Sequence, residues 1–555
     1  MALAKNKGKC TNFGHCDVAD SHAAVDSADP LKLVCPKCER PLSPVEASGL
    51  RIKPLALVGV LVLAALGTGV YYWFGGPDGS PAAPSRASAG KEGVVRCRIN
   101  IWVGCAGGLA ANGGLDTQKG SIFDGEGIQV SFKVIDDWTE GATALATGNV
   151  DVMLTTVDVW AKDYAQLAER GFKGRAFLMV DWSRGADGVI GKPGLRSIED
   201  LAGKSIAFAP STPSHFLIWN GVRNSGLSRE QRDKLMTYAV HTKDGIEPAT
   251  LFAQGKIDAA VAWDPDMSDA VAKRPGGGRK IYDTTVANKL IADILVVSDA
   301  YLEAHPETVK KFAGGWLKGV EFLRSEPARA YNIIGSIKDF NIPTELAKTM
   351  LQGVELSDFT ENESFFGTAG ELFDYANIFR MAQEMYRDLR AIKRHTPDIE
   401  ATMTREVVHS MRHRFPPRST ASAAYGPLAP GQVPISTQEK TIFFEPGSAE
   451  VSMDSRGVVD DIAAFMKAYE NTVVEIAGNT DSTGDARQNV VLSLRRAEAV
   501  KRYLSAKYGF PATRMIAKGN GPAQPKGDNA TDEGRARNRR TDIRAYENRA
   551  GSSRR

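Results

Sequence analysis

Apolar and polar positions divide the chain into unlike stretches. Residues 54–74, PLALVGVLVLAALGTGVYYWF, carry no charge, and as a helix they would cover ~30 Å, the thickness of a bilayer core. The aromatics Tyr71, Tyr72 and Trp73 close the run, as expected at a membrane boundary; a buried core helix is the alternative. Residues 75–93 (GGPDGSPAAPSRASAGKEG and its border) have no apolar period and read as a linker. A second punctuated stretch, FPPRSTASAAYGPLAPGQVPIST, lies within a linker assigned to 411–437. Between the two linkers, over 94–410, short apolar runs alternate with amphipathic ones, the pattern of an α/β domain. Beyond the second, residues 438–547 read strand, helix, strand, long helix and closing strand, an α+β domain, with 548–555 as a tail.

The middle stretch contains a quasi-repeat. ALATGNVDVMLTTVDVWA (144–161) and LFAQGKIDAAVAWDPDMSDA (251–270) share one order: helix end, glycine, apolar strand, polar loop, new helix. Gly148 matches Gly255, Asp151 matches Asp258, and Thr156 falls opposite Trp263. Each glycine suits a left-handed helix C-cap, and each apolar run suits a buried parallel strand. Two copies a lobe's length apart predict two similar lobes. Ligands in open α/β sheets bind beyond the carboxyl ends of strands, here Thr155-Thr156 and Trp263-Asp264, so the lobes are expected to face each other across a cleft.

Charge decides the topology. Lys32, Lys37, Arg40, Arg51 and Lys53 precede the apolar run, and only Arg86 and Lys91 follow it closely. The positive-inside rule therefore places the N-terminal tail in the cytoplasm and the rest of the chain outside it, with residues 54–74 as a single pass through an inner membrane. With 555 residues, 43% hydrophobic and 24% charged, two or three globular domains are expected. A net charge of +3 with no concentrated basic face argues against nucleic acid as a partner.

The cysteines divide along the same boundary. Cys10, Cys16, Cys35 and Cys38 lie in the tail, residues 1–50. The pair in VCPKC has the spacing at which one turn presents two thiolates to zinc. A reducing cytoplasm disfavours disulfides, which leaves structural zinc or idle thiols, with His15 and His22 as rival ligands. The tail resembles a rubredoxin-like zinc ribbon, which implies one zinc on the four cysteines and a docking or structural role. Cys97 and Cys105, if they lie on one continuous strand, stand more than ~20 Å apart and cannot be bridged.

The middle domain resembles the periplasmic solute-binding proteins of ABC transporters, in the nitrate, sulfonate, taurine and thiamine-precursor branch. The resemblance rests on INIWVG, ALATGNVDVMLTTVD, SIEDLAGKSIAFAPSTPSHF, IDAAVAWDP and IADILVVSDAYLEAHPETVKKF in that order. It implies a two-lobed, hinge-closing receptor for a small solute that performs no chemistry. Cleft candidates are Trp102, Thr155, Thr156, Ser211, Thr212, Ser214, His215, Trp263 and Asp264. The start of a helix at Pro213 offers amides to an anion or carbonyl group. The two tryptophans offer faces to a planar or cationic ligand, and Asp264 a partner for an amine. Packing of the tryptophans and N-capping by Asp264 are the alternative roles, and the mixed chemistry fixes no ligand class.

The last domain resembles the OmpA-like peptidoglycan-binding domain over its length. Asn489, Leu492, Ser493, Arg496 and Ala497 match that family's N-x-x-LS-x-x-RA helix, and Asn538, Arg539 and Arg540 match its NRR end, while Asn479 stands where the family has histidine. The resemblance implies that Asp481 and Arg496 bind the ammonium and carboxylate of diaminopimelate in the peptidoglycan stem peptide, with Asn489 and Arg540 supporting. No G-x-S-x-G, P-loop or H-E-x-x-H motif occurs, and no catalytic role is expected. The expected fold class is thus multidomain α/β: small zinc ribbon, single transmembrane helix, two-lobed periplasmic-binding-protein domain and C-terminal OmpA-like α+β domain. Two functions remain open. One is a membrane-held solute receptor tethered to peptidoglycan and serving a transporter or other partner. The other is an envelope component that uses the solute-binding fold as a spacer or partner-binding element.

Overall fold

The computed structural model describes residues 93–549 apart from 369–371, 394–396, 417–423, 443 and 445–447, together with three N-terminal strands, Cys35 and Lys37. The expected membrane span at 54–74, the linker after it, and Cys16 and Cys38 lie outside the described residues. Among the described residues no helix is long and apolar enough to cross a membrane. The chain divides into two compact units, Met1–Ser85 and Arg86–Arg555. In the first, β1 (Lys7–Cys10) pairs antiparallel with both β2 (Ala24–Asp26) and β3 (Leu42–Pro44). Cys10 ends β1, and Cys35 is buried.

The second unit begins with β4 (Val94–Ile99), β5 (Gln129–Val134), β6 (Val152–Thr156) and β7 (Gly174–Ser183). The chain then crosses to β8 (Asp187–Gly191), β9 (Ile206–Phe208), β10 (Val240–His241), β11 (Ala259–Trp263) and β12 (Arg279–Asp283). It returns through residues 284–291 to β13 (Ala292–Ser298) and later β14 (Val354–Leu356). Two sheets result, ordered β14-β7-β13-β6-β4-β5 and β10-β9-β11-β8-β12. These are the two lobes. β6 and β11 are buried apolar strands, one in each sheet, and Gly148 and Gly255 before them have φ of 72° and 73°, the left-handed region that favours glycine. The quasi-repeat is therefore a structural repeat.

The two crossings are tied together: Ser183 Oγ lies 2.8 Å from Thr284 Oγ1, which also accepts from the Gly185 amide at 2.7 Å. Helices pack over the sheets, among them α1 (Val157–Ala168), α2 (Pro213–Arg223), α3 (Phe359–Phe366) and α4 (Asp374–Asp388). β4 ends at Ile99 and a short 3-10 turn spans Val103–Cys105, so Cys97 and Cys105 do not lie on one continuous strand. Cys97 and Cys105 are both buried and free.

The C-terminal sheet, β15-β18-β16-β17, comprises β15 (Ser436–Lys440), β16 (Thr472–Asn479), β17 (Met515–Gly521) and β18 (Thr541–Glu547). Parallel β16 and β17 are joined through α6 (Ala486–Tyr508), which follows α5 (Arg456–Ala468) in sequence. Gly478 and Gly519 lie against the α6 backbone, where a Cβ would overlap Ser493 and Val490. This domain is packed against the two-lobed domain. Tyr469 OH donates to Asn220 Oδ1 at 2.6 Å and lies 2.7 Å from Tyr282 OH. Lys289, on the returning crossover, pairs with Asp374 at 3.1 Å, and Lys467 pairs with the same carboxylate at 3.1 Å. Burial pushes the Asp374 carboxyl up, but the two ammonium groups outweigh it and hold it below the usual range. Phe415 stacks on Phe359, while Tyr425, Gln432 and Ile435 hydrogen-bond to the C-terminal domain. The stretch read as a Pro-rich linker over 411–437 carries packed residues at both ends.

Candidate functional site

The edge of each sheet that faces the other lobe lines a cavity of about 520 Å³, within the size range of small-molecule sites. In the first lobe the antiparallel registers place Asp293 at the start of β13, beside Thr156 at the end of β6 and Asp181 near the end of β7. In the second, Asp187 opens β8 opposite Trp263 at the end of β11. Charged and aromatic groups thus collect where strands end.

Of the residues expected at the cleft, Trp102, Thr156, Ser211, Thr212, Trp263 and Asp264 line the cavity. Thr155, Ser214 and His215 are buried behind it. His215 accepts from the Ser211 amide at Nδ1, 3.2 Å, and packs on Phe208 with ring centres 4.7 Å apart. Burial, with His241 nearby, pushes its pKa down to about 4, so the ring stays neutral and acts as a support. Asp264 accepts from Ser268 N at 3.0 Å and from Lys280 at 3.4 Å; the N-cap of the helix Asp266–Lys273 is Pro265, so Asp264 braces its first turn from one residue before the cap while lining the cavity.

Sequence reasoning missed the carboxylates. Asp136, Asp137, Asp187, Asp244, Asp266 and Asp293 join Asp264 on the wall, against two lysines, Lys162 and Lys243. Asp187 and Asp293 are each 4% exposed. Burial lifts the Asp187 carboxyl from 3.8 to about 7. Burial raises both Asp181 and Asp293, hydrogen-bonded neighbours across the strand pair, and the Asp181 charge pushes Asp293 up further. The signal was present: each is an acid next to an apolar strand run, in AFLMVDWS, GADGVIG and IADILVV. Beneath the cavity Arg98 is fully buried and donates to the Ile135, Leu154 and Asp136 carbonyls, at 2.7, 2.6 and 3.3 Å, stitching the strand ends together. Gly141 is required there, since a Cβ would come 2.6 Å from Arg98 Nε.

A second site lies at the C-terminal domain. Asp481 follows β16, accepts from Thr483 N at 2.9 Å and pairs with Arg539 at 2.6 Å. Burial raises its carboxyl, yet the Arg539 guanidinium and the Thr483 amide leave it below the ordinary range. Arg496, on α6, stands over the Phe444 ring at 4.9 Å and donates from Nε to Ser448 O at 3.2 Å. Burial, then the Arg539 charge, lowers its pKa, with Asp481 opposing. Asn489 donates to Thr483 O at 2.9 Å and holds the turn against the helix. Arg540 is placed elsewhere: it is 5% exposed and paired with Asp542 at 2.9 Å. Consecutive residues entering a strand point to opposite faces, so Arg540 joins Asp542 inside while Arg539 turns out to Asp481. Asn479, buried, bonds to the Arg540 carbonyl and to Asp542, a structural role. Among the described residues no group of three His, Cys, Asp or Glu side chains is arranged to hold a metal.

The NMT1/THI5 like family is matched over residues 122–330 and the OmpA family over residues 443–539. It is 43% identical over 105 residues to outer membrane porin F of Pseudomonas fluorescens, 19% of this chain and 32% of that protein. It is 36% identical over 130 residues to peptidoglycan-binding protein ArfA of Mycobacterium bovis, 23% of this chain and 38% of that one. Of its first four curated relatives the chain covers between 29% and 52% of the length. The periplasmic aliphatic sulphonate binding protein SsuA of Escherichia coli aligns over 57% of this chain and 100% of its own, with 16% identity and a TM-score of 0.44.

Proposed function

We propose that this protein is a solute receptor of the cell envelope, held to the inner membrane at one end and to peptidoglycan at the other. The observation that carries the receptor half is the 520 Å³ cavity walled by the equivalent strand ends of two lobes, with the crossings between them joined at Ser183 and Thr284. A hinge of that kind lets the lobes close on a small molecule and report its presence. The tether half is supported by Asp481 lying close to two arginines in the stretch that matches the OmpA family, and by the similarity of that stretch to a peptidoglycan-binding protein. Asp481 accepts from an ammonium while Arg496 and Arg539 receive a carboxylate, the pair of groups that diaminopimelate presents. Residues 54–74 are the membrane anchor, with the N-terminus in the cytoplasm and a structural zinc on Cys10, Cys16, Cys35 and Cys38. Binding, with no catalysis, is the role of both main domains.

One observation favours a second reading. The C-terminal domain contacts both lobes and the crossover through Tyr469, Lys467 and Lys289. Such a dock would serve a rigid spacer or partner-binding element equally well. Native mass spectrometry of the purified full chain separates the two. A small molecule that is retained, and that Trp263→Ala releases, supports the receptor. A chain that neither retains nor exchanges any small molecule is a spacer.

A further inference from the structure

Resting on the reading of this cleft as a solute site, we infer that its ligand is an organic cation, a primary ammonium or amidinium on a flat or apolar body. Seven aspartates and two lysines line the cavity, and Lys162 is itself paired with Asp163 at 3.3 Å. Four of the aspartates are committed to the protein. Asp136 accepts from Ile101 N at 3.0 Å, Asp137 from Glu140 N at 2.8 Å, Asp244 from Glu247 N at 3.0 Å and Asp264 from Ser268 N at 3.0 Å. Asp187 and Asp293 are different. They come from opposite lobes, are 4% exposed, and among the described residues form no ion pair; their side-chain partners are Ser183 for Asp187 and another acid, Asp181, for Asp293. Asp181 stands directly behind Asp293 in the strand pairing.

Buried carboxylates without a countercharge are costly to keep, and a cation between them removes the cost. A second, independent observation points the same way. Thr156 lies on the cavity wall with 2% of the residue exposed; its hydroxyl is given to the Asp158 carboxylate, which leaves the oxygen lone pairs to accept from a ligand N–H. Trp102, Trp138 and Trp263 supply aromatic faces, which attract a cation and pack against a flat body. Several provisions for an anion are taken up elsewhere, which leaves Lys243 as the cation opposite the aspartates. Pro213 at the start of α2 has no N–H, the Ser211 amide is given to His215, and the Arg98 guanidinium is spent on backbone carbonyls.

The test uses two probes of one shape and opposite charge, benzylammonium and benzenesulfonate, titrated calorimetrically into the full chain. Saturable binding of benzylammonium, weakened at least ten-fold by Asp293→Asn or Asp187→Asn, is expected; benzenesulfonate should not bind. Each variant's melting curve is recorded, and Trp263→Ala, at a half-buried rim position, supplies a second route should either aspartate variant fail to fold. Preference for benzenesulfonate would overturn the charge assignment and leave the solute-site reading standing. Should neither probe bind, native mass spectrometry decides: a retained anionic or neutral molecule overturns the inference, a retained cation supports it, and no retained molecule removes the solute-site reading as well.

Discussion

Replacing Asp187 by asparagine should make the unliganded protein more stable at alkaline pH while destroying its ligand site. Asp187 opens β8 against Trp263, is 4% exposed, and has its carboxyl lifted by burial from 3.8 to about 7. A carboxyl whose folded value lies above its unfolded value contributes stability that is fully present below about 3.8 and is lost as pH rises through about 7. Between pH 5 and pH 8 that loss amounts to roughly 2.5 kcal/mol for one such group. Asparagine keeps the shape and cannot ionise, so its own hydrogen-bonding cost is the same at both pH values. The assay is urea unfolding of the full chain and of Asp187→Asn at pH 5 and pH 8. The variant's stability relative to the native protein should improve by ~2–3 kcal/mol on going from the lower pH to the higher. A difference that stays constant across that range refutes the reasoning, because the carboxylate would then be adequately solvated in the fold. A bound organic cation should narrow the same gap by stabilising the native protein at pH 8 and leaving the variant unaffected.

Other expectations follow from the remaining sites. In pull-downs with purified sacculi, Asp481→Ala and Arg496→Ala should abolish retention, Arg539→Ala should weaken it, and exposed Arg495→Ala should leave it intact; equal retention of all four removes the diaminopimelate assignment. Asp374→Ala leaves Lys289 with Glu361 and Glu470 and removes the carboxylate that Lys467 faces, and should cost about 1–3 kcal/mol in denaturant unfolding. A loss below ~1 kcal/mol would mark the pair as no better than a surface contact. Metal analysis of the full chain should find one zinc, lost in Cys35→Ser; a metal-free protein, or zinc retained by the variant, rules out the four-cysteine site.

The sequence determined the elements and their order. Local rules were enough: glycine at 148 and 255 had to close helices in the left-handed region, and the apolar runs behind them had to be buried strands, so two equivalent lobes followed without tertiary information. The cleft ends at Thr156 and Trp263 were legible for the same reason, since a strand's end is a property of its own chain. Charges brought together by non-local pairing were not. Asp181 and Asp293 stand more than a hundred positions apart and become neighbours only through strand register, and Asp187 meets Trp263 by the same means. The sequence therefore displayed one acid at the cleft where the fold assembles seven on its wall. In the C-terminal domain the motif located the turn and the helix, yet which of two adjacent arginines faces Asp481 depended on the face each takes entering β18. The packing of that domain onto Asn220, Tyr282 and Lys289 was set by tertiary structure alone, because no periodicity within one segment encodes the surface another segment will present to it.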